Sequence, residues 1–244
     1  MALLGMPKIP KAQPPAELAR VRRGYFESRF GQLHVHHSMP PGGGFEEGAP
    51  VLCIQDLAGT GRAFAPFMAL AGRDRSVYAP DLPGLGESDP PGLHATVADY
   101  AAALGDFLDT MRLRRLHVLA NRAGALIGAD LALARPEQIG ALVMVSVPLA
   151  PAGQRRPFAP EAPAGDSPGV LAEALAQYPA RERLARLTQK VLVVRPKDDL
   201  WEASWGMREV LPSARVVDIE IPGGQVFASQ PARLFEAVRD FLRV

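Results

Sequence analysis

The sequence has little of several things, and each scarcity excludes something. Its single cysteine, Cys53, rules out an internal disulfide. Cys53 lies in the apolar run PVLCIQ and reads as a buried core thiol. Such a chain suits a reducing compartment, and a cytoplasmic location is expected. Neither sign of charge dominates. Lys and Arg number 27 against 26 Asp and Glu, a formal net charge of +1. No global field draws such a chain to nucleic acid or an acidic membrane, so neither is an expected partner. No run approaches the ~18 apolar residues of a membrane span. The opening MALLGMPKIPKAQPP lacks the long apolar core of a secretory signal. Arginine greatly outnumbers lysine, and alanine and proline abound; this is a composition bias with little functional content.

What is present suits a soluble globular domain. Hydrophobic residues make up 48% and charged residues 22%. A length of 244 residues fits one large α/β domain, since such folds run to about 250 residues as a unit.

Residues 1–23 are rich in Pro, Ala and basic residues and read as an N-terminal arm, with a short helical turn at Ala16–Val21. Gly24–Phe30 and Leu33–Ser38 alternate around Gly31-Gln32 as a hairpin. The breaker cluster Pro40-Pro41-Gly42-Gly43-Gly44 follows. The rhythm then changes to short apolar strands alternating with helices. Strands are expected at Pro50–Gln55, Ser76–Pro80, Leu116–Ala120 and Ile139–Val147, and helices at Arg62–Gly72, His94–Met111 and Ala123–Ala134. This β-α-β-α-β-α-β order predicts a mostly parallel sheet of about eight strands with helices on both faces. The regularity stops at Pro148. Residues 149–189 read as a short, Pro-rich insertion with two brief helices at Val170–Tyr178 and Arg181–Thr188. Alternation resumes with a strand at Lys190–Val194, a helix at Trp201–Leu211, a strand at Arg215–Ile221 and a closing helix at Ala232–Leu242. Residues 24–244 thus read as one domain.

Several motifs, in order, resemble the α/β-hydrolase family. Asp81-Leu82-Pro83-Gly84-Leu85-Gly86-Glu87-Ser88-Asp89 is similar to that family's D-x-P-G-x-G-x-S-D loop. Gln55–Phe64 stands where the family has a His-Gly loop. His117–Gly128 resembles its strand–elbow–helix, whose frame G-x-S-x-G here reads Ala120-Asn121-Arg122-Ala123-Gly124. Leu133–Ile139 resembles the A-x-x-P-E-x-V join, Val191–Asp199 the strand before the triad acid, and Gly223-Gly224-Gln225 the loop of the catalytic histidine. The resemblance spans about Gly24 to the C-terminus and implies the α/β-hydrolase fold, with 149–189 as a reduced lid.

The chemistry departs from the family. A triad needs a hydroxyl or thiol nucleophile, a base, an acid and two N–H groups for the oxyanion. Here the nucleophile position is Arg122, whose guanidinium stays protonated and has no attacking lone pair. The base position is Gln225. The acid position is kept as Asp199, or Asp198 with a one-residue shift. The oxyanion loop begins Gln55-Asp56, and a carboxylate there repels developing negative charge.

A buried arginine cannot stand unpaired, so Arg122 is expected to meet Asp199, Asp56 or both. Three roles stay open: an ion pair that plugs the pocket, a fork for an anionic ligand, or atypical catalysis. Gln55, Asp56, Leu57, Arg122, Ala123 and Trp201 are the expected ligand-binding set. Trp201 and Trp205 stand one helical turn apart, as packing or as a pocket wall. The five histidines read as structural or solvated. No His, Cys, Asp and Glu cluster has metal-ligand spacing, so no metal or cofactor is expected. The leading expectation is a catalytically degenerate member that binds a small molecule or a partner protein. The alternatives are a hydrolase or lyase of atypical mechanism and a structural subunit of a larger assembly. The sequence leaves the oligomeric state open.

Overall fold

The computed structural model describes residues 18–41, 48–149, 152, 167–222 and 226–243. An eight-stranded sheet runs through it in the order β1-β2-β4-β3-β5-β6-β7-β8. The strands are β1 (Val21–Ser28), β2 (Gly31–Ser38), β3 (Gly48–Ile54), β4 (Arg75–Pro80), β5 (Leu116–Asn121), β6 (Ile139–Val145), β7 (Lys190–Lys197) and β8 (Arg215–Pro222). Pairing is antiparallel for β1–β2 and β2–β4. It is parallel for every other neighbouring pair. The sheet is thus mostly parallel, with an antiparallel hairpin on one edge.

The helices are α1 (Ala65–Ala71), α2 (Val97–Thr110), α3 (Ala123–Ala134), α4 (Ser167–Gln177), α5 (Ala180–Leu184), α6 (Gly206–Val210), α7 (Val226–Ser229) and α8 (Pro231–Arg239). Two apolar cores cover the two faces of the sheet. On one face Leu52, Ile54, Val118 and Ala120 meet Leu104 and Phe107 of α2 and Ile127 and Leu131 of α3. On the other Val51, Cys53, Leu119 and Val143 meet Phe67 and Met68 of α1 and Leu234 and Val238 of α8. Strands buried on both faces carry apolar residues at consecutive positions, which is why β3, β5 and β6 read as continuous apolar runs. Gly124 is required by this packing. A Cβ there would collide with the carbonyl oxygens of Ile54 and Gln55, so α3 could not start against the end of β3.

Several boundaries differ from the sequence expectations. Residues 18–20 form no helical turn, and Val21 already opens β1. The hairpin ladder runs to Val21↔Ser38 because backbone pairing extends a strand past its alternating core. Helix α2 starts at Val97 because Thr96 and Asp99 form a reciprocal capping box. The expected helix over Trp201–Leu211 is a 3₁₀ turn at Ala203–Trp205 followed by the short α6. Residues 1–17 of the N-terminal arm and 153–166 of the insertion lie outside the described residues. Among the described residues, no helix is long and apolar enough to cross a membrane.

Candidate functional site

The carboxyl ends of β3, β5, β6 and β7 converge where the strand order reverses about β3 and β5, the place where open α/β sheets hold ligands. Arg122 stands there, between β5 and α3. Its backbone is forced to φ 51° and ψ −116°. A side chain at positive φ is strained, and the surrounding bonds hold it there. Arg122 N–H donates to the Val145 carbonyl (2.8 Å) and its carbonyl accepts from Ala125 N–H (3.0 Å).

The side chain is met by carboxylates from two loops. Nη1 and Nη2 donate to the two oxygens of Asp199, each at 2.8 Å, a bidentate fork. Nε lies 2.9 Å from Asp56 Oδ2, and Nη1 lies 3.6 Å from Asp198 Oδ2. Arg122 therefore pairs with both partners expected from the sequence. Asp56 has a second contact: its Oδ1 accepts from Ala123 N–H at 3.2 Å. That N–H follows the elbow residue and opens α3, so a carboxylate occupies the donor an oxyanion would use. The hydrogen bonds from Arg122 hold the Asp199 carboxyl below the usual carboxylate range. Those same bonds to Asp199 hold the guanidinium protonated even more firmly than usual, against the opposing effect of burial.

Asp198 is the buried member of the acidic pair, with its side chain 2% exposed against 68% for Asp199. It accepts from Ser146 Oγ at 2.6 Å and from Leu200 N–H at 3.0 Å. Ser146 follows β6 and is itself at φ 52°. Gln55 is buried, and its Nε2 donates to the Gly59 carbonyl at 3.0 Å, which braces the turn carrying Asp56. Its Oε1 is buried without a partner among the described residues. Leu57 is partly buried against the α2–α3 core, and Ala123 is fully buried. Gln225 lies outside the described residues.

Trp201 and Trp205 do not form one helical stripe. Both rings pack on the buried guanidinium of Arg195, at 4.1 and 3.9 Å from its Cζ. Arg195 also donates to the Trp201 carbonyl (2.8 Å) and to Asp218 on β8 (2.9 Å). It thereby ties down the loop that carries Asp198 and Asp199. Sequence reasoning missed Arg195; the signal was a charged residue inside the strand run VLVV-R-P, followed by two tryptophans.

A cleft of ≈ 460 Å³ opens between the start of α2, helix α3 and helices α4 and α5. Leu93, Val97, Val170 and Tyr178 are among its lining, with Asp130 and Arg183 as polar groups. Buried Asp130 accepts from Tyr178 Oη (3.0 Å) and Arg183 Nε (2.8 Å). Its volume is that of a small-molecule pocket.

Among the described residues, no hydrogen bond or ion pair joins a histidine to the Arg122 cluster. His117 sits at the opposite end of β5 from Arg122, buried, with neither ring nitrogen partnered among the described residues. The fold does bring together a group that the sequence reading did not anticipate. His34, His36 and Asp81 each offer a ligand atom within 4.8 Å of the others. The H-x-H spacing on a strand was a visible signal, because residues two apart share a face. Asp81 could be joined to it only by the fold.

The chain is 26% identical over 244 residues to "Putative carbamate hydrolase RutD" of Pseudomonas savastanoi pv. phaseolicola, covering 80% of this chain and 94% of that one. Over 154 residues it is 30% identical to a 2-hydroxy-6-oxononadienedioate/2-hydroxy-6-oxononatrienedioate hydrolase of Pseudomonas putida, covering 59% of this chain and 48% of that one. Its backbone is similar to the enol-lactonase of Burkholderia xenovorans (TM-score 0.76, 15% identity, 91% of this chain and 100% of that one). Residues 49–191 match the model of the alpha/beta hydrolase fold family, and the chain belongs to that family.

Proposed function

We propose that this protein is a catalytically degenerate α/β-hydrolase-fold protein that binds a small molecule or a partner protein. The observation that carries the reading is the double lock at the elbow. Arg122 stands at the nucleophile position with its fork closed on Asp199, and Asp56 covers the Ala123 N–H. A protonated guanidinium cannot attack an acyl group, and an oxyanion site filled by a carboxylate repels the charge it would have to stabilise. The cluster sets one cation against Asp56, Asp198 and Asp199. With the guanidinium engaged on both its Nε and Nη sides, a neutral or cationic ligand suits this edge better than an anion. A separate cleft, lined by Val97, Val170 and Tyr178 and by none of the Arg122 cluster, gives a small ligand room.

The second reading is a hydrolase or lyase of atypical mechanism. The names of the curated relatives favour it, since they are called hydrolases. The two readings part on one assay. The wild-type chain is expected to leave a chromogenic acyl ester at its buffer rate and to take no label from a fluorophosphonate. Saturable turnover that disappears in Arg122→Ala would overturn the degenerate reading. A partner that co-purifies in stoichiometric amount would instead point to a subunit of an assembly.

A further inference from the structure

We propose that His34 and His36 form a binding site for one divalent transition-metal ion, with Asp81 as the residue that positions His34. The two histidines alternate with buried Leu33 and Val35 on β2 and so share the other face of that strand. Their rings stand edge to face with centroids 4.8 Å apart. A zinc ion about 2.0 Å from each of two imidazole nitrogens holds them roughly 3.3 Å apart. Each ring offers a nitrogen within 4.8 Å of the other's, somewhat wider than that span.

Asp81, which follows β4, is already fixed. It accepts from Gly61 N–H (2.6 Å), Glu87 N–H (3.2 Å) and His34 Nδ1 (2.9 Å). A carboxylate on one ring nitrogen, with the other nitrogen open, is the arrangement that orients a metal-ligating imidazole. Here the open nitrogens are His34 Nε2 and His36 Nδ1, both buried and without a hydrogen-bond partner among the described residues. His34 is 2% exposed, so water does not readily satisfy it. Imidazole nitrogens suit zinc, nickel, cobalt and copper(II) rather than calcium or magnesium. Two protein nitrogens leave the remaining coordination positions to water, which reaches the site on the side of the half-buried His36 ring. The site is therefore expected to exchange its ion rather than hold it as a permanent structural core.

The test uses the untagged full chain, because a polyhistidine tag would bind the same ions. Cobalt(II) titrated at pH 7.5 is expected to give visible absorption bands that saturate at one ion per chain, and zinc(II) to displace them. His36→Ala is expected to weaken cobalt binding at least tenfold with its metal-free circular dichroism and melting curve unchanged. His34→Asn should lose the bands as well, whereas the exposed His94→Ala should keep them. Should His36→Ala fail to fold, His36→Gln carries the same comparison. Absence of cobalt uptake at millimolar metal, or uptake unchanged by the His36 substitution in a folded variant, overturns the proposal.

Discussion

Replacing Arg122 isolates the energetic role of the elbow. Arg122→Ala removes a bidentate bond to Asp199 and the contact to Asp56, and leaves three carboxylates facing one another. A charge-assisted hydrogen bond contributes about 1.5–3 kcal/mol. Breaking a buried ion pair costs about 3–5 kcal/mol. Asp199 is 68% exposed, so its share is cut by solvent screening. A net loss of about 2–3 kcal/mol at pH 7 is expected, read from urea unfolding. Arg122→Gly should lose about 1 kcal/mol less, because glycine relieves a side chain held at φ 51°. The pH dependence has a definite sign. Asp199's folded pKa is depressed by Arg122, so the pair's stabilisation is present above the ordinary 3.8 and lost as pH falls through the lower folded value. The gap between wild type and Arg122→Ala should therefore close in strong acid. An Arg122→Ala chain as stable as wild type at pH 7, with a pH-independent difference, would refute the lock.

Two further perturbations test other parts of the scaffold. His117 is buried, and burial, followed by the charges of Arg75 and Arg115, lowers its pKa to about 4. The unfolded chain then takes up a proton near 6.5 that the folded chain refuses, so stability should fall between pH 6.5 and 4 by up to about 3 kcal/mol. His117→Leu should flatten that slope in pH-dependent urea melts, and an unchanged slope would exclude His117 as its source. Arg195→Met should remove the cation held between both tryptophans of the chain. It leaves Asp218 and the Trp201 carbonyl without their donor, so a loss of about 3 kcal/mol and a clear change in tryptophan emission are expected.

The fold was largely legible because its signals are local. The buried strands announce themselves as apolar runs, and the turn after β5 by Gly124, which no side chain can replace. Legibility failed where one residue's role depends on another far along the chain. Thr96 rather than His94 starts α2, since the cap depends on a reciprocal bond to Asp99. Trp201 and Trp205 read as a helical stripe, yet Arg195 draws both rings onto its own guanidinium. The three histidines of β2 read as bystanders until β4 brings Asp81 alongside His34.

By itself the sequence determined that a strand–turn–helix stands at Leu116–Ala134 and that its turn carries an arginine rather than a serine. That follows from residue identity and periodicity, which need no partner. Only the tertiary structure decided which groups the arginine meets. Asp56 and Asp199 lie 66 and 77 residues from it in the chain, and parallel pairing of β3, β5, β6 and β7 brings their ends to one edge. A charge's effect is set by distance and dielectric, not by position in the sequence, so the pairing of Arg122 could be read only once the sheet placed three carboxylates around it.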